Sequence, residues 1–379
     1  MRTLILLTIF LFPFTFASAA EDDVFLQDEI ALRKKALEFA EADLQNNNTA
    51  PIRSKNNEGE NIKKYINLAT AKINLYQTTG EKDKLYNALK DKLEWSKKLY
   101  QLIKKEFDAD NKIGLRYVRQ GELLAYEAEL ELDNAEQKKP ENEIALLKKK
   151  LEFAEKNVKE SDDSLLHNPA MKTNNITNAR EHLELAKAKI ALYRTTDDKD
   201  KLINALNEQL EWTKKIRRLN EIALGENTNK ALTRSLKKTY MFSNLAVYEA
   251  EVELKNAKQE KPDKNDNINL LKKRLEVAEK NMKISNDALT SGTDNIAAMN
   301  AFEHIFLADK KKTLYQATEE NDKLINAIEE KIEWAKKLQS IQKNINETKK
   351  HPAIIQNGLD EVIIMEAELE LKKAKQKKL

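Results

Sequence analysis

The chain is predicted to be all-α, made of three tandem four-helix units of long antiparallel, coiled-coil-like helices. Three observations carry that prediction. Seven glycines and six prolines in 379 residues are far below ordinary usage, so few points exist where a helix must stop. Apolar and small residues alternate three and four apart, the pattern of a helix with one buried stripe. Long segments also recur in three copies, most sharply at Trp95, Trp212 and Trp334, the only three tryptophans, each preceded by glutamate and followed one residue later by Lys-Lys. Their spacings of 117 and 122 residues define the repeat.

The repeat extends well beyond tryptophan. LEFAEADL at Leu37 matches LEFAEKNV at Leu151 and LEVAEKNM at Leu275. INLYQTTGEKDKLYNAL, IALYRTTDDKDKLINAL and KTLYQATEENDKLINAI carry Tyr76, Tyr193 and Tyr315 at the same two spacings. Each copy closes with YEAELEL from Tyr126, YEAEVEL from Tyr248 or MEAELEL from Met365. Three units follow, at about residues 24–139, 141–261 and 266–377, each large enough to bury a core of its own.

Within a unit the elements follow in order. The first helix of the second copy presents Ile144, Leu147, Leu151, Ala154, Val158, Ser161 and Leu165 as one stripe. The second presents Ala179, Leu183, Ala186, Ile190 and Tyr193, and the first copy places Ile62, Ile66, Ala69, Ile73 and Tyr76 to match; tyrosine ends the stripe each time. The third carries the tryptophan among Leu202, Leu206, Leu210 and Thr213. The fourth is built on Gly121, Ala125, Ala128, Leu132 and Ala135, and small seam residues let two backbones approach closely. A mean spacing of 3.5 residues favours gentle left-handed supercoiling.

The breaks are chemically marked. Thr78, Thr79 and Gly80 predict a hairpin between the second and third helices, and Thr195 precedes Asp198 in a capping-box-like order. Lys139-Pro140 and Lys261-Pro262 mark unit boundaries, because proline lacks a donor and turns its predecessor away from helix. The joints after Leu44, Ser164 and Ala288, and the segment from Leu224 to Leu236, differ between copies. Function is expected where the copies disagree.

Residues 1–19 have a secretory layout: Arg2, an apolar run from Leu4 to Phe16, then Ala17, Ser18 and Ala19. Cleavage is expected near Ala19. The run is interrupted by Pro13 and is shorter than the ~20 residues of a spanning helix. No other stretch is apolar enough to span, so the mature chain is expected to be periplasmic or secreted without a transmembrane segment. With no cysteine, it must hold together by packing alone. Removing Arg2 takes one from 66 basic side chains, against 63 acidic. So near-neutral a chain has no basic footprint for nucleic acid, and its interleaved charges read as a solvated face of ion pairs.

Candidates for chemistry are few. Glu181-His182 and Glu303-His304 sit one repeat apart, but Lys64-Tyr65 stands there in the first copy, and no second histidine lies four residues away; neither metal nor cofactor is expected. His167 and His351 have no counterparts. Glu127, Glu129 and Glu131, with their copies from Glu249 and Glu366, alternate with the fourth stripe and are expected to face water or lysines. Catalytic carboxylates need environments that separate their pKa values. No GxSxG, Walker or GxGxxG pattern and no thiol occur, so no enzyme is expected. Trp95, Trp212 and Trp334, with Tyr76, Tyr193 and Tyr315, are assigned to packing; the indoles are expected beside Leu93, Leu210 and Ile332, filling the gap left by the small-residue helix.

The stretch from Ile73 to Lys138, with GEKDKL, a long amphipathic helix, a glycine-bearing turn and LLAYEAELELDNAEQ, resembles the paired long helices of TolC-like outer-membrane factors. The amphipathic strands of that family's barrel are missing, the unit occurs three times, and no functional residue carries over. The residues themselves predict a non-enzymatic scaffold or protein-binding module; the resemblance implies the alternative, a soluble component of an envelope transport or efflux assembly.

Overall fold

The computed structural model describes residues 22–48, 57–110, 115–135, 141–167, 172–227, 229–259, 263–289, 294–348 and 359–376. The expected signal peptide, both Lys-Pro boundaries, His351 and most of the joint after Leu44 lie outside them. The described residues form helices and short turns, with no strand. The all-α reading holds.

Twelve helices follow one another: α1 Asp22–Asn48, α2 Asn57–Thr79, α3 Lys82–Asp110, α4 Leu115–Ala135, α5 Glu141–His167, α6 Lys172–Thr195, α7 Lys199–Gly225, α8 Lys230–Lys258, α9 Lys264–Leu289, α10 Asp294–Ala317, α11 Asn321–Thr348 and α12 Leu359–Gln376. None is long and apolar enough to cross a membrane. Each helix lies against its neighbours in sequence, and α12 lies against α1. The row of helices therefore returns on itself. Consecutive helices run antiparallel, as Arg119–Glu160 and Lys149–Glu122 show on α4 and α5: numbers rise along one helix as they fall along the other.

The turn after the second helix of each copy is built by one device. Gly80, Asp197 and Glu319 all take positive φ, at 72°, 53° and 59°. The next amide then donates back to a tyrosine carbonyl: Glu81 to Tyr76 at 3.1 Å, Asp198 to Tyr193 at 3.0 Å and Glu320 to Tyr315 at 2.9 Å. This is a Schellman cap, in which a left-handed residue lets the chain satisfy the orphan carbonyls of the last turn. The capping-box expectation is only partly met. Asp198 itself caps α7, accepting from the Lys201 amide at 3.2 Å, whereas the Thr195 hydroxyl donates back to Ala191 within α6.

Apolar clusters span the second to fourth helices of each copy. Ile190, Leu206, Leu210, Val247, Ala250 and Leu254 join α6, α7 and α8, and Ile62, Ile66 and Leu99 join α2 and α3 with Leu124 of α4 packed on them. The small-residue seam acts as expected: a Cβ added to Gly121 would meet Tyr100 Cα at 3.3 Å. One expectation changes. A single buried stripe was predicted, yet Leu75, Leu192 and Leu314, and Leu130, Val252 and Leu369, are buried off that stripe. Helices with a neighbour on either side must bury two faces.

Candidate functional site

The three tryptophans are half-buried on α3, α7 and α11, and each is stacked by a ring from the preceding helix. Tyr65 lies on Trp95 with centroids 3.9 Å apart, His182 on Trp212 at 3.9 Å and His304 on Trp334 at 3.5 Å, all within 12° of parallel. An ammonium group three residues on lies over each indole: Lys98 at 4.1 Å, Lys215 at 4.3 Å and Lys337 at 4.1 Å. Every indole thus has a ring and a cation for neighbours. Sequence reasoning placed the indoles against the small-residue helix and treated the histidines apart from them. The signal that could have joined them was present, because Tyr65, His182 and His304 recur at the same 117 and 122 spacings.

Tyr76, Tyr193 and Tyr315 are half-buried in the last turns of α2, α6 and α10. Beyond their capping carbonyls, each ring lies near the ammonium group of Lys84, Lys201 or Lys323, at 5.7, 5.8 and 5.6 Å.

Around His182 the polar groups are fully engaged. Its Nε2 lies 3.0 Å from Asp162 Oδ1, which also accepts from Asn178 at 2.6 Å. Burial opposes ionisation of Asp162, but the bonds from His182 and Asn178 outweigh it and hold the carboxyl below the usual range. Glu181 points to the preceding copy, pairing with Arg116 of α4 at 2.5 Å; burial raises its pKa while Arg116 pulls it down. Glu303 repeats that reach, to Lys238 of α8 at 2.6 Å. The first copy breaks the pattern, because Lys64 stays within it and binds Asp43 at 2.7 Å. Glu181, His182 and Glu303 are thus engaged by neighbouring helices, whereas His304 meets Trp334 by stacking and its Nδ1 is buried without a hydrogen-bond partner. Among the described residues no group of three or more His, Asp or Glu is placed to hold a metal ion.

The fourth-helix glutamates meet cations. Glu127 pairs with Lys150 and Glu249 with Arg274 across to the next helix, each at 2.7 Å, while Glu129 and Glu131 pair with Lys97 and Lys92 of α3 at 3.3 and 2.6 Å. Of their copies, Glu368 pairs with Lys336 of α11 at 3.2 Å, whereas Glu253 and Glu370 reach the second helix of their units, through Arg194 of α6 and Lys312 of α10.

In the third copy one ion pair is enlarged into a cluster, since Lys331–Glu370 occupies the positions of Lys92–Glu131 and is joined by Lys312 and Asp309. Lys312 stands where the other copies have the core residues Ile73 and Ile190. Its ammonium lies 2.6 Å from Glu370, while Lys331, 6% exposed, lies 3.1 Å from Asp309 and 3.6 Å from Glu370. Burial would pull the Lys331 pKa down, but Asp309 and Glu370 outweigh it and hold it above the ordinary lysine range. Such an ammonium stays charged, which suits an ion pair and not a nucleophile.

The joints between copies are polar and related. Lys35–Glu361, which ties α1 to α12 at 2.7 Å, occupies the positions of Lys149–Glu122 between α5 and α4. Lys372–Asp28, also at 2.7 Å, occupies those of Lys255–Asp266 between α8 and α9. Helices α1 and α12 thus meet through the same positions that join consecutive copies. Set against protein-family models, the chain matches none; nor does any curated protein match it significantly.

Proposed function

We propose that the chain is a non-enzymatic, exported scaffold or protein-binding module, made of three tandem four-helix units at residues 24–139, 141–261 and 266–377 arranged as a ring. The observation that supports this reading is the threefold recurrence of the stacked tryptophan, with a ring from the preceding helix and a lysine in contact with every indole. A feature copied into each unit and engaged with its own helices belongs to architecture, and repeat arrays of this kind act through the surface they present. Partners are proteins, and the surface that varies between copies selects them. Crosslinking of the mature chain in its native envelope, followed by mass spectrometry, tests this. Discrete protein partners that recur between preparations are expected, and a chain that crosslinks to none would overturn the proposal.

A further inference from the structure

Exposed apolar side chains gather at one end of this molecule. Because consecutive helices run antiparallel, the even-numbered helices begin, and the odd-numbered helices end, at that same end. Leu166 lies there in the last turn of α5, Ile222 in the last turn of α7, Leu232 in the first turn of α8, Leu289 at the end of α9 and Met299 in the second turn of α10, each between 37% and 78% exposed. Tyr117, in the first turn of α4, is exposed with them. The Asn300–Asn286 hydrogen bond and the Lys238–Glu303 pair, both at 2.6 Å, hold α8, α9 and α10 in register. At ~1.5 Å per residue, Leu232, Leu289 and Met299 then fall within about one helical turn of a common level. The other end differs. Its turns close with the ion pairs Glu81–Lys84, Asp198–Lys201 and Glu320–Lys323, and among the described residues Leu26 is the one large apolar side chain exposed there.

Unpaired positive charge lies beside the apolar tips. Arg218 on α7, and Arg234 and Lys237 on α8, are exposed within two turns of Ile222 and Leu232, and none of them forms an ion pair among the described residues. Residues 216–239 hold six cations against two acids, Glu221 and Glu226. Spread one to a helix over five helices, the apolar side chains form no row along any one helix for a partner helix to pack against. A bilayer makes no such demand. Its interface takes up each apolar side chain separately, provided that all lie at one depth, while long cationic side chains set a turn or so behind reach the phosphates. Anionic headgroups supply the opposite charge.

We propose that this end of the molecule seats on an anionic phospholipid surface, with Leu166, Ile222, Leu232, Leu289 and Met299 entering the interface and Arg218, Arg234 and Lys237 at the headgroups. The attachment is peripheral, since no described helix is long and apolar enough to cross a membrane, and it stands apart from the protein-binding reading above. The mature chain is floated with vesicles of equal parts phosphatidylcholine and phosphatidylglycerol, and with vesicles of phosphatidylcholine alone. Preferential binding to the anionic vesicles is expected, weakened about tenfold or more in the variant Leu166→Gln, Ile222→Gln, Leu232→Gln, Met299→Thr. Its melting curve should match wild type, because every side chain replaced is exposed. Arg218→Gln with Arg234→Gln and Lys237→Gln should also weaken binding about tenfold or more. Orientation is read without those variants. In a chain with no other cysteine, an environment-sensitive fluorophore attached at Leu232→Cys should shift to the blue on vesicle addition, and one attached at Lys199→Cys, at the opposite end, should not. Undiminished binding by either variant, equal binding to both kinds of vesicle, or equal shifts from the two labels would overturn the proposal. So would self-association that the apolar variant abolishes, since a second copy would then cover this end.

Discussion

The imidazole of His182 lies flat on the indole of Trp212, 3.9 Å between centroids, while its Nε2 faces Asp162 at 3.0 Å. One side chain therefore ties three helices together: α5 through the carboxylate, α6 through its own backbone and α7 through the indole. Replacing Trp212 with alanine removes the surface on which the imidazole rests and opens a void beside Leu210. A loss of about 3 kcal/mol is expected, read as a lower denaturation midpoint. His182→Tyr should keep a stack like that of Tyr65 on Trp95 but lose the contact with Asp162, costing about 1 kcal/mol by the same measurement.

His304 gives the chain a pH dependence that its counterpart Tyr65 does not. Burial holds its pKa below the ordinary value, with Glu330 pulling up and Lys337 and Lys311 pushing down. The unfolded chain, whose histidine titrates near ~6.5, then binds more protons than the folded chain just below that pH. The stabilising contribution is fully present above the unfolded value and is lost as pH falls through the folded one. Urea midpoints measured from neutral pH downward should fall more steeply in wild type than in His304→Tyr; parallel curves would contradict this.

The left-handed turn residues offer a second check. Gly80 adopts its positive φ without strain, whereas Asp197 and Glu319 hold the same geometry with a Cβ present. Asp197→Gly and Glu319→Gly should each raise stability by about 0.5–1 kcal/mol, and Gly80→Ala should lower it by about 1 kcal/mol. Thermal melts of the three variants suffice.

The charged cluster of the third copy should respond asymmetrically. Lys331→Met removes the buried one of the two ammonium groups that face Asp309 and Glu370 and leaves Lys312 paired with both, and a loss of about 2 kcal/mol is expected. Reversal of an exposed pair such as Lys336–Glu368, whose side chains are about half exposed, should change stability by less than ~1 kcal/mol. Chemical denaturation distinguishes the two.

Closure through α1 and α12 predicts proximity of residues far apart in the chain. Lys35→Cys with Glu361→Cys, in a chain that has no other cysteine, should be joined within one molecule by a short bismaleimide. Gel mobility and peptide mapping would report it. Crosslinks found only between molecules would mean that α12 pairs with a second copy.

Much of the helical layout was legible in the residues. Ile62, Ile66 and Ile73 mark a buried face because apolar side chains at helical spacing leave water together, and they are 7%, 7% and 5% exposed. The Tyr193 turn was visible from the chemistry that ends a helix. Less was legible at the candidate site. Glu181 and Glu303 are equivalent in sequence to Lys64, yet the glutamates reach back to the preceding copy and Lys64 does not. That outcome depends on which cation a neighbouring helix presents, a choice made by packing between distant segments. The burial of Leu75 and Leu130 was missed for the same reason, since a second buried face exists only when a second neighbour does.

By itself the sequence determined that the chain is helical, that its pattern recurs three times and that Trp95, Trp212 and Trp334 share one environment. Periodicity and turn chemistry act within a few residues, so they can be read without knowing where the chain goes. Tertiary structure alone decided that α12 returns to α1 and that imidazole or phenol rings cover the indoles. Those relations join residues distant in sequence, and they are set by how whole helices pack, through burial and ion pairing summed over surfaces that no local stretch encodes.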